Sequence, residues 1–218
     1  MKKFSILIAI LTVVLILLFA SCHSNDSPIP PEETGADTTE PTKVVKVDLG
    51  DYNIVGGDGS SIHEDFVKKC EGLAESMIQI IINMSSTAWT EETVATSALV
   101  LFNYDGTLLG TLFKLSTNNS STGFMRVLIS DKYEHEIDSP FYKDDQDPPI
   151  NIDEMVDKKA YCFGEDNYYT KESDGSFKSL VTGEVITLQD AKDKVALLDE
   201  KMKEAHDAFQ TSDAFVNE

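Results

Sequence analysis

Ser97-Ala98-Leu99-Val100-Leu101-Phe102-Asn103-Tyr104-Asp105-Gly106-Thr107-Leu108-Leu109-Gly110-Thr111-Leu112-Phe113-Lys114-Leu115-Ser116 places two apolar segments on either side of an Asp-Gly pair. Asp-Gly between such segments is the strongest short-range hairpin signal, because both residues tolerate the left-handed backbone that a tight turn requires. The stretch therefore predicts strands over 97–104 and 107–116 joined at Asp105-Gly106. Thr117 to Gly123 is rich in Asn, Ser and Thr and predicts the next turn, and Phe124 to Ser130 the next strand. Three antiparallel strands in a meander follow.

Upstream, Ser61-Ile62-His63-Glu64 has the Ser-x-x-Glu spacing of a capping box, in which two side chains answer two backbone amides at a helix start. Phe66, Cys70, Leu73, Met77, Ile80 or Ile81 and Met84 then recur at steps of three and four, the stripe of a helix packed on a core that ends near Ser85. Lys68, Lys69, Glu71 and Glu75 are expected to face outward. Downstream, Asp131 to Pro149 reads as an exposed loop with at most a short strand near Glu136 and Ile137. Ala160 to Phe163, Tyr168 to Lys171 and Gly175 to Leu180 read as further short strands. Thr187 and Asp190 open a second helix, whose Leu188, Ala191, Val195, Leu198, Met202, Ala205 and Phe209 form a heptad-like stripe. That stripe suits a helix laid across the sheet or a coiled-coil seam; three heptads are close to the minimum for the second, so a monomer is expected. The fold class is α+β: an antiparallel meander sheet packed against two amphipathic helices, in one domain over 44–212 with a tail at 213–218.

The domain is preceded by a different kind of sequence. Lys2 and Lys3 lead into a predominantly apolar run from Phe4 to Phe19, which closes on Ala20-Ser21-Cys22. Charged start, apolar middle and small residues at the end are the layout of a secretory leader. A spanning helix is the alternative, but a run of this length covers only about 24 Å of a hydrocarbon core about 30 Å thick. With a cysteine directly after the small pair, Phe19-Ala20-Ser21-Cys22 resembles the lipobox of bacterial lipoproteins, with Phe19 where that family more often has Leu. The resemblance implies a signal peptide over 1–21, acylation of the Cys22 thiol, and Cys22 as the first mature residue. Lipid attachment at Cys22 would hold the protein on the outer face of a bacterial membrane, and two or more acyl chains would make the attachment stable. Residues 22–43 are polar, acidic and proline-rich, with almost nothing to bury, and read as a disordered tether.

Charge narrows the function classes. The formal net charge is −20, and loss of Lys2 and Lys3 with a leader takes it to −22. Such a field repels nucleic acid and anionic headgroups. Arg126 is the sole arginine, which leaves one donor for planar clamping of phosphate or carboxylate. The Gly56-Gly57-Asp58-Gly59 run lacks the Gly-Lys-Ser/Thr ending of a phosphate loop and reads as a joint. With Cys22 acylated, Cys70 and Cys162 are left either bridged or as two buried thiols. His63, His135 and His206 are the candidate bases for a thiol nucleophile, and neither cysteine sits in the electropositive setting that such a role needs. No His-x-x-x-His or Cys-x-x-Cys pair marks a zinc site. Asp144, Asp145, Asp147, Asp153, Glu154 and Asp157 form either a solvated loop or a weak calcium site without helix-loop-helix order. No catalytic, metal or cofactor residue is therefore expected, and no cofactor.

Gly123-Phe124-Met125-Arg126-Val127-Leu128-Ile129-Ser130, set between the first helix and the Tyr-rich short strands, resembles a strand of the pro-domains of streptopain-type papain-like cysteine peptidases. In that family the strand lies in a sheet that occludes the peptidase cleft, so the resemblance implies inhibition or binding rather than catalysis. The functional expectation is a non-enzymatic binding lipoprotein of the cell envelope, with a protein or peptide ligand and with Tyr161, Tyr168 and Tyr169 as a contact patch or as core. The alternatives are an inhibitor of a papain-like peptidase and a hydrolase with two carboxylates in an unrecognised cleft.

Overall fold

A computed structural model describes residues 46–57, 60–84, 86–129, 137–164 and 167–214. The leader, Cys22, the tether, His135 and the chain from 215 onward lie outside the described residues. In chain order the elements are strand β1 (Asn53–Val55), helix α1 (Ser61–Met84), strands β2 (Thr93–Phe102), β3 (Leu108–Thr117), β4 (Ser120–Ile129) and β5 (Ile137–Lys143), and a 3-10 helix (Ile152–Met155). Strands β6 (Ala160–Cys162), β7 (Tyr168–Lys171), β8 (Phe177–Ser179) and β9 (Val185–Ile186) and helix α2 (Leu188–Ala214) complete it. The compact unit runs from Val44 to His206. Among the described residues no helix is long and apolar enough to cross a membrane.

The nine strands form one sheet in the order β5-β4-β3-β2-β6-β7-β8-β9, with β1 also paired to β2. The α+β class holds. The meander is only part of the sheet: β2 to β5 run antiparallel, whereas β1 and β6 both pair with β2 in parallel. The reason lies in the burial of β2, whose residues from Ser97 to Phe102 are all buried. A strand covered on both faces cannot leave its backbone groups to water, so each must find a partner. One edge of β2 is served along its length by β3. The other is served piecemeal: Leu49 O accepts from Ala95 N at 3.0 Å, β1 covers Ser97 to Leu99, and β6 covers Leu101 and Phe102. Val47 and Leu49 are buried without being in a strand, and the first strand begins at Asn53.

Alternate residues of β2 feed two cores. Ala98, Val100 and Phe102 meet Val67, Cys70, Ala74, Ile78 and Ile81 of α1, with Phe113, Leu115, Met125 and Val127 beside them. Leu99 and Leu101 point the other way, to Leu112, Phe124, Leu128, the Ile150–Met155 segment and Leu198 and Met202 of α2. Each fully buried aliphatic of this kind contributes about 1.5–3 kcal/mol relative to exposure. Cys70 belongs to the first core and Cys162 to the second, so the sheet separates them and both are free thiols. Burial pushes the Cys70 thiol up to about 11.

The helix starts differ in detail from expectation. His63 N and Glu64 N both donate to Ser60 O, which makes Ser60 rather than Ser61 the capping position of α1. Thr187 and Asp190 do form a reciprocal cap on α2: Asp190 Oδ2 accepts from Thr187 N at 2.9 Å, and Asp190 N donates to Thr187 Oγ1 at 3.2 Å. Glu71 does not face outward. It is buried, paired with Lys68 at 2.8 Å, and its carboxylate helps burial to raise the Tyr52 hydroxyl well above the usual phenol range.

Turn chemistry sets the strand boundaries. The β3–β4 connection is only Asn118-Asn119, with φ of 53° and 64°, the left-handed pair of a two-residue hairpin. Strand β4 therefore begins at Ser120, inside the expected turn. The loop expected over 131–149 contains β5, which pairs with β4 from Phe124 to Ile129. Its register slips between the Arg126–Phe141 and Leu128–Asp138 pairs, and Pro140 sits in that irregularity on an edge strand, where a missing N–H is tolerated.

Trp89, in the connection from α1 to β2, is 2 % exposed, donates Nε1–H to Thr122 O at 2.7 Å and packs on the Tyr142 ring at 5.4 Å. Replacing Trp89 by Ala should cost about 3–5 kcal/mol in chemical denaturation, whereas Trp89→Phe should keep most of the packing and lose about 1 kcal/mol with the hydrogen bond. Gly123 has φ of 120°, and a Cβ there would run into the Lys143 carbonyl oxygen of β5. Gly123→Ala should therefore destabilise by about 1–3 kcal/mol or more, read from the same unfolding curves; a neutral result would mean that β5 is not packed on β4 as described.

Candidate functional site

Strands β6, β7 and β8 form a small antiparallel patch at the far side of β2. Tyr161 pairs with Tyr169, Thr170 with Lys178 and Lys171 with Phe177. Lys158 and Lys159 just precede β6, Lys171 ends β7 and Lys178 lies in β8; pairing sets Lys171 beside Phe177 on one face of the sheet and Lys178 beside Thr170 on the other. They line a concavity of about 640 Å³ together with Tyr161, Thr170, Glu172, Ser179 and Leu180.

Two of the four ammonium groups rest on aromatic rings. Lys159 Nζ lies 4.7 Å from the Phe102 ring centroid and Lys171 Nζ 5.6 Å from that of Phe177, attractions worth about 0.5–1 kcal/mol at exposed sites. All four lysines are exposed, and among the described residues none of them makes an ion pair. Glu172 is the one carboxylate in the lining. The wall behind them is rigid: Phe177 packs edge-on against Tyr161 at 5.3 Å and Phe163 at 5.1 Å, and Phe163 stacks on Tyr169 at 4.9 Å. Burial raises the Tyr161 and Tyr169 hydroxyls above the usual phenol value. Chemically, the lining offers ammonium and hydroxyl donors from residues on both faces of the strands rather than from one convergent set.

Of the two readings of the tyrosines, contact patch or core, the packing supports the second. Tyr161, Tyr168 and Tyr169 are all buried and serve as core. The lysines escaped the sequence reading because they are scattered over 158–178, and strand pairing brings them onto or beside neighbouring strands without setting them on one face. The Asp174-Gly175 turn was the available signal, since a hairpin there brings Lys171 and Lys178 onto neighbouring strands.

Other candidate groups are used locally. Cys162 is fully buried; its thiol donates to Gly164 O at 3.6 Å and accepts from Arg126 Nη1 at 3.7 Å, and Arg126, also buried, donates to Gly164 O at 2.7 Å. His63 stands edge-on to Phe102 at 5.7 Å, at the opposite side of the sheet from the core that holds Cys162. Of the acidic residues, Asp144 accepts from Ala88 N, Asp147 from Ser121 Oγ, Asp153 from Ser97 Oγ and Lys114 Nζ, and Glu154 from Asn151 Nδ2. The Thr87 hydroxyl is the main cause that holds the Asp144 carboxyl below its usual value. These carboxylates tie loops to strands in separate places, and among the described residues no group of three or more His, Cys, Asp or Glu converges as a metal site would.

Set against protein-family models, curated proteins and solved structures, the chain has no significant match in any of the three.

The hairpin that carries Lys171 and Lys178 repeats the turn between β2 and β3. In each, Gly N donates back to the residue three before it, and Asp Oδ1 accepts from the N–H and the hydroxyl two residues on: Asp105 with Thr107, Asp174 with Ser176. Gly106 and Gly175 have φ of 88° and 86°, so both are three-residue loops with a glycine bulge rather than two-residue hairpins. These hydrogen bonds hold both carboxyls below the usual aspartate value. A depressed folded pKa stabilises the fold above the unfolded value of about 3.9 and loses that contribution as pH falls through the folded value. Asp174→Ala and Asp105→Ala should accordingly lower the melting temperature at neutral pH, and the gap to the parent protein should narrow below about pH 4, as followed by circular dichroism.

Proposed function

We propose that the chain is a lipid-anchored, non-enzymatic binding module of a bacterial cell envelope. The observation that carries this reading is the sequence from Lys2 to Cys22: paired lysines, an apolar run too short to span comfortably, and a cysteine set directly after Ala20-Ser21. The acidic, proline-rich 22–43 segment supports it, because a solvated spacer lets a domain stand off a surface. So does the lining of the concavity beside β6, β7 and β8, which offers lysine and hydroxyl donors to a ligand.

Mass spectrometry of the mature protein, purified from membranes of a bacterial host, is the test. The expected N-terminal peptide starts at Cys22 and carries two or three acyl chains, and Cys22→Ala should leave the leader attached or release the chain from the membrane fraction. An intact Met1 in the parent protein, or an unmodified Cys22, would remove the anchor.

A further inference from the structure

We draw no further inference here: the strongest candidate, the glycine turn at the N-terminus of α1 where His63 and Lys159 Nζ both meet the Phe102 ring, is a helix N-terminus at which nothing among the described residues points to a ligand.

Discussion

Complete burial of β2 from Ser97 to Phe102 imposes one requirement from which the architecture follows: every backbone amide and carbonyl of that strand must be answered by protein. A single long hairpin partner satisfies only one edge. The second edge draws in three segments far apart in sequence, at Leu49, Asn53–Val55 and Ala160–Cys162. Bringing β6 alongside β2 also places β7 and β8, so the concavity beside them is a by-product of how the central strand completes its hydrogen bonds. Helix α1 fits the same logic, because a parallel β1–β2 pair needs a long crossover that can cover one face of the sheet.

The sequence made the local elements legible where periodicity and turn residues agreed. The stripe from Cys70 to Ile81, the Thr187–Asp190 cap and the Asp105-Gly106 turn each state their structure within a few residues. Parallel pairing was hidden because β1 and β6 are three residues long, too short to show any period, and their partners on β2 lie up to about sixty residues away, beyond what a window of that size can sense. Strand β5 was obscured by Pro140 and its acidic neighbours, which read as loop until an edge position makes them acceptable. Charge was legible in total but not in arrangement. A net value of −20 describes the chain as a whole and says nothing of where Lys158, Lys159, Lys171 and Lys178 fall, which strand pairing decides.

Many of the acidic side chains that dominate the composition do mechanical work. Asp144 holds the segment before Trp89, Glu75 accepts from Leu49 N at 3.0 Å and so fastens the segment before β1 to α1, and Asp153 bridges Ser97 and Lys114 on β2 and β3. These are mostly half-exposed contacts, each worth little alone as an ion pair, whose value lies in fixing loop positions. The abundance of carboxylates thus reflects loop attachment and solubility as readily as chemistry.

The sheet ends, on one side, at β5 with its proline and slipped register and, on the other, at β9, which offers only Val185 and Ile186. Among the described residues neither border presents a long, regular row of free amides to a neighbour. Molecules crowded side by side therefore lack a template for stacking strand against strand, and can be packed densely without seeding fibrils.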